Sequence, residues 1–189
     1  MTIESIIAGC RKGDAEARRE LYERYATAMF SLVRRYIRLR SAAEDVFHDG
    51  FVLVYTKIGD FRGSGSFEGW MRRIFVTAAL NYLRKERQLK DPTIDADIGE
   101  LPPGVVSGAP PEALQQLNDK ELMGFVERLP EGFRMVLMLH AVEGYSHAEI
   151  AEMLSITEST SRSQFLRAKA RLMEMIENSE LRIQKKERE

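Results

Sequence analysis

Five prolines fall close together in the middle of the chain: Pro92, Pro102, Pro103, Pro110 and Pro111. A proline offers no amide proton, and its ring collides with the carbonyl four residues back, so each interior proline costs a helix about 3 kcal/mol or more. Gly99, Gly104 and Gly108 lie among them, and the apolar spacing that runs on either side stops. Between residues 91 and 118 there are five acids (Asp91, Asp95, Asp97, Glu100, Glu112) and no base. We read residues 91–117 as a flexible, acidic linker. A chain of 189 residues suits two small domains, or one with long arms. The linker decides for two, at 1–90 and 118–189.

Both flanks read as helix, so the expected fold class is all-α: two small helical domains joined by a flexible linker. Before the linker, Leu21, Tyr25, Met29, Leu32 and Tyr36 share one face, and Phe47, Phe51, Val54 and Ile58 a second. Phe67, Trp70, Met71, Ile74 and Ala78 form a third, behind a Gly/Ser loop at Arg62–Ser66 whose last serine can cap the helix. After the linker, one helix is expected over Leu117–Arg128, stopped by Pro130, and another over Phe133–Val142, ended by Gly144. Ser146 and Glu149 have capping-box spacing and start a helix to about Leu154. Ser155-Ile156-Thr157 makes a short turn, and a longer helix follows from Glu158 to about Glu177. Two helices across so short a turn predict a helix-turn-helix at the C-terminal end.

The chemistry-bearing residue types narrow the function. One cysteine excludes an internal disulfide and suits a reducing, cytoplasmic setting. Three scattered histidines leave no metal-ligand pattern, and there is no phosphate-binding glycine loop or nucleophile elbow. We expect no metal, no cofactor and no catalysis. Ile6-Ile7-Ala8-Gly9-Cys10 resembles a lipoprotein cleavage box, but no positive segment precedes it and its apolar run is short, so we do not read it as one. No apolar run reaches the length of a membrane helix, and no membrane insertion is expected.

Charge points to nucleic acid. Residues 1–90 hold 17 Lys and Arg against 11 Asp and Glu; residues 119–189 hold 11 against 13. Arg73, Thr77, Asn81, Arg84 and Gln88 follow at steps of three or four, a polar stripe suited to a single strand, with bases and aromatics interleaved from Phe61 through Phe75 to Gln88. Trp70 has core spacing and is chiefly structural. The Arg62–Ser66 loop can fold around a base drawn out of the duplex, because its glycines permit close contact. On the helix from Glu158, Ser161, Phe165, Ala168, Leu172 and Met175 form a packing stripe. Ser159, Arg162, Ser163, Leu166, Arg167 and Ala170 form another face, with Gln164 and Lys169 at its margins. That face suits a major groove: Arg162 and Ser163 for hydrogen bonds, Leu166 for a thymine methyl, Arg167 for phosphate or guanine. Its bland alternative is a solvated amphipathic helix. Glu44, Asp45, His48 and Asp49 either complement a helix dipole or form a docking surface for a basic partner.

Ala43-Glu44-Asp45-Val46-Phe47-His48-Asp49-Gly50-Phe51 resembles the polymerase-binding helix of sigma factors of the extracytoplasmic-function group, in the sigma-70 family. Phe61-Arg62-Gly63 with Ser66–Ile74, and Leu80–Arg84, resemble the rest of that group's region 2. Leu129-Pro130, Glu143–Ser146, Glu149–Ala151, Thr160–Ser163 and Arg167-Ala168 resemble its region 4. The resemblance implies a factor that takes core RNA polymerase to promoters, with an anti-sigma factor as a further partner. It places Asp45, His48, Asp49 and Phe51 on the polymerase-docking helix. It places Arg62, Gly63, Ser64, Gly65, Ser66 and Phe67 on the loop holding a flipped −10 base, and Arg73, Thr77, Asn81 and Arg84 beside the melted strand. It places Ser159, Arg162, Ser163, Leu166 and Arg167 on the −35 duplex reader. The linker would thread toward the polymerase active channel. His48 stands where the group usually has Gln, Thr77 where Asn is frequent, and Leu166 where a more polar or aromatic residue is usual. The rival readings are a regulator that binds duplex DNA alone, with residues 1–90 as a sensor or dimerisation domain, and a helical protein-interaction module.

Overall fold

The computed structural model describes residues 1–90 and 119–186, and every regular element among them is a helix. The chain divides into two compact units, Met1–Asp95 and Ala96–Glu189. The all-α expectation holds. The linker expected at 91–117 lies outside the described residues.

The first unit opens on a helix not singled out above, although Ile3, Ile6, Ile7 and Cys10 keep helical spacing. In α1 (Ile3–Arg11) the Thr2 hydroxyl accepts the Ser5 amide at 3.3 Å, and Ile6, Ile7 and Cys10 are buried. The stretch that resembles a cleavage box is therefore a helical turn, with Ile6 and Cys10 at 0% and 2% exposure. Gly13 turns the chain at φ 79°, where a side chain would be strained. Asp14 then caps α2 (Ala15–Tyr36), its Oδ1 accepting the Ala17 amide at 2.8 Å. α3 (Arg40–Lys57) follows, then a 3-10 turn at Ile58–Asp60, a loop, and α4 (Phe67–Lys90).

The expected faces of α2 and α3 are buried, with Tyr25 half-buried. α4 departs from expectation. Phe67 and Met71 are buried, but Trp70, Ile74 and Ala78 are only half-buried, and Phe75, Val76, Ala79 and Leu80 go inside instead. Phe75 is fully buried, 5.2 Å from the Phe51 ring and 6.1 Å from that of Phe47. α4 packs on both α2 and α3, so its buried face is wider than a single stripe. Gly50 permits this approach: a Cβ there would lie 2.3 Å from a Phe75 ring carbon.

The second unit comprises α5 (Asp119–Val126), α6 (Glu131–Leu137) with a π-helical continuation at Met138–Val142, α7 (His147–Leu154) and α8 (Glu158–Lys186). Gly144, at φ 79°, breaks the chain out of the π turn. The capping box forms as expected: Ser146 accepts the Glu149 amide at 3.3 Å and donates its own to Glu149 Oε2 at 3.0 Å. Ser155 adopts a left-handed conformation at φ 57° and ends α7. The Thr157 hydroxyl then accepts the Thr160 amide at 3.0 Å and caps α8. α7, turn and α8 make the expected helix-turn-helix, on a core that includes Met135, Val136, Met138, Leu139, Ile150, Ala168 and Ile176.

Candidate nucleic-acid interface

The loop between α3 and α4 is exposed from Arg62 to Ser66. Gly63 and Gly65 sit at φ 77° and 85°, and a Cβ at either would meet open space. The glycines there satisfy backbone shape, not crowding. Ser66 closes the loop as anticipated, its hydroxyl accepting the Gly69 amide at 3.0 Å. Phe67 is not on the loop's outer surface. It is buried at 6% exposure, with the Phe61 ring 5.2 Å and the Trp70 ring 5.4 Å away. Its place among residues meeting a base is corrected: it is the floor under the loop.

Arg73, Thr77, Asn81, Arg84 and Gln88 are all exposed along α4, so the stripe is continuous. The Thr77 hydroxyl donates to the Arg73 carbonyl at 2.8 Å, and Arg84 Nη1 donates to Asn81 Oδ1 at 3.2 Å. The interleaved aromatic Phe75 is removed from this surface by its burial.

On α3, Asp45, His48 and Asp49 are exposed and lie one turn apart. His48 Nδ1 is 2.8 Å from the Glu44 carbonyl oxygen. A carbonyl only accepts, so this nitrogen carries the proton and Nε2 remains for a partner. Phe51 is corrected from a docking contact to a core residue, at 4% exposure, between the rings of Tyr22, Phe47 and Phe75. The stripe runs on instead to Val52, seven residues after Asp45 and 62% exposed. Sequence reasoning passed over Val52 because α3 has apolar residues on both sides; only its exposure separates it from the core.

On α8, Ser159 and Arg162 are exposed, Leu166 is 59% exposed, and Ser163 and Arg167 are half-buried. Arg162 Nη2 pairs with Glu158 Oε1. The Ser163 hydroxyl donates to the Thr160 carbonyl at 3.0 Å. Gln164 is not at the margin of this face: it is buried at 5% exposure, near Gly132 at the start of α6. Where the π turn, the start of α7 and α8 meet is a cluster the sequence reading did not find. His140 and His147 stack at 4.2 Å between ring centroids, with Phe165 edge-on to His140 at 4.6 Å. His147 Nδ1 lies 2.9 Å from the Ser161 hydroxyl, and His140 Nδ1 donates to the Tyr145 carbonyl at 2.7 Å. Burial first, then repulsion from His140 and Arg162, holds the His147 pKa below its ordinary value. A spacing of seven residues across a π turn gave no signal for this stack.

Among the described residues no group of three potential metal ligands occurs, and no helix is long and apolar enough to cross a membrane. Residues 21–88 match the family described as Sigma-70 region 2, and residues 119–172 the family described as Sigma-70, region 4. The ECF RNA polymerase sigma-E factor of Escherichia coli (strain K12) is 32% identical over 176 residues, 89% of this chain and 91% of that protein. The Haemophilus influenzae ECF RNA polymerase sigma-E factor is 29% identical over 184 residues, 94% and 95% of the two chains. CnrH, solved in complex with the cytosolic domain of CnrY, shares the fold at a TM-score of 0.52 and 20% identity, covering 92% of this chain and 96% of that one. The sigma factor RpoE from Bartonella quintana, solved with the anti-sigma factor NepR, does so at 0.53 and 18%, covering 84% and 96%.

Proposed function

The chain belongs to the sigma-70 family, in its extracytoplasmic-function group, and from that premise we propose which of its surfaces carries each step of initiation. As a sigma factor it directs core RNA polymerase to promoters. Residues 1–90 act as region 2. The exposed stripe Asp45, His48, Asp49 and Val52 docks on the polymerase, with acids meeting a basic partner and Val52 supplying apolar contact. Arg62–Ser66 takes the flipped −10 base, and Arg73, Thr77, Asn81 and Arg84 lie along the melted strand. Residues 118–189 act as region 4. Ser159, Arg162, Ser163, Leu166 and Arg167 read the −35 duplex from the second helix of the helix-turn-helix.

The observation that carries this reading is one exposed polar face in each unit, of different design. The first combines a glycine loop with a polar helix stripe, as an unstacked strand requires; the second is a capped, close-set recognition helix, as a duplex groove requires. The factor has no catalysis of its own and works in the cytoplasm with the polymerase. An anti-sigma factor is the expected inhibitor, as the Bartonella quintana sigma factor has one bound.

Run-off transcription from host genomic fragments, with core polymerase and this protein, tests the assignment. Discrete transcripts dependent on the protein are expected, and their aligned start sites give both promoter elements. Specific duplex binding by the protein alone, without transcripts, would support the regulator reading instead.

A further inference from the structure

We infer that Arg11 is a positioning residue for the loop that takes the −10 base, and that α1 is thereby part of the promoter-reading apparatus. The inference rests on the assignment of Arg62–Ser66 to that loop. Arg11 is the last residue of α1, outside the residues that match region 2. Its Nε donates to the Ile58 carbonyl at 3.2 Å and its Nη2 to the Phe61 carbonyl at 2.5 Å. These oxygens belong to the stretch by which α3 and its 3-10 turn pass into the loop.

Carbonyls at the end of a helix have no partner within it. A charged, planar guanidinium satisfies two of them in one fixed geometry, which a single ammonium does not do. The Phe61 ring, packed 5.2 Å from Phe67 and 5.6 Å from Trp70, holds the same point from below. At the far end the Ser66 hydroxyl holds the Gly69 amide. Residues 62–65 therefore leave and re-enter the fold at two fixed points, with glycines setting the curve between them. Releasing the first point leaves the loop to be ordered each time a base is captured, and that entropy is lost from binding. The loss falls on recognition of the flipped base.

The test uses holoenzyme assembled with each variant, on single strands carrying a −10 element mapped by run-off transcription. The same strands with the flipped base replaced serve as competitors. Arg11→Met is expected to reduce discrimination between the two about ten-fold, with binding to the replaced strand and to core polymerase unchanged. Arg11→Lys, which keeps one charged donor, recovers part of it. Unchanged discrimination in Arg11→Met overturns the inference. So does equal loss on both strands and on core polymerase without recovery by Arg11→Lys, which would mark Arg11 as merely structural. Gly63→Ala with Gly65→Ala separates the two levels: if that variant keeps full discrimination, the loop assignment itself fails. If it loses discrimination while Arg11→Met keeps it, only the role of Arg11 fails.

Discussion

Arg162 and Leu166 sit one turn apart on α8, and under the proposed −35 assignment each would make a different contact with a base pair. Arg162 rests on Glu158, an exposed pair that yields readily to a guanine edge or a phosphate. Arg162→Ala is expected to lower −35-dependent transcription about ten-fold, the size of one lost side-chain-to-base contact. Transcription from templates already melted at −10 should not change. Leu166 has no polar atom and 59% exposure, so a thymine methyl is the part of a base it can recognise. Replacing individual −35 thymines by uracil removes only that methyl. We expect one such position to weaken holoenzyme binding in wild type and to be silent in Leu166→Ser; no sensitive position would mean that Leu166 faces away from the groove.

The pair His140 and His147 joins the π turn, α7 and α8 through Ser161 and Phe165. Both rings protonated would put two cations 4.2 Å apart, with Arg162 also nearby. Because folding depresses the His147 pKa, the unfolded chain takes the proton first as pH falls through about 6.5, and stability is lost from there until the folded ring is also charged. The carboxylate of Glu158, held low by Arg162, loses its contribution only at lower pH. Melting curves at pH 7.5 and 5.5 should therefore show a loss that His147→Gln flattens. An unchanged loss in that variant would place the titration elsewhere. The sequence made the capping box, the turn and α8 legible, because each rests on contacts three or four residues apart. The histidine stack, Gln164 and the true buried face of α4 depend on which helix crosses which, and local spacing does not carry that. The same limit explains Phe51 and Phe67: their motif positions are readable, but whether a motif residue faces out or in is decided by Phe47, Phe75 and Trp70 from other turns and elements.

Across the whole chain the net charge is −1, and the basic excess is confined to residues 1–90. Phosphate neutralisation dominates unaided DNA affinity and weakens steeply with salt. We expect weak binding of promoter fragments by the free protein at physiological salt, and tight binding once core polymerase is added. Mobility shifts with and without core check this; tight, sequence-specific binding by the protein alone contradicts it. The division into two helical bodies is readable from five prolines, with residues 1–90 as the first of them. The match to region 2 begins at Leu21, whereas Ile6 and Cys10 from α1 are at 0% and 2% exposure in the same core. What is inherited as a recognisable unit and what holds together as a material object therefore have different edges here. A gene fragment trimmed to the recognisable unit would strip the cladding from a load-carrying wall and leave an apolar face bare in water.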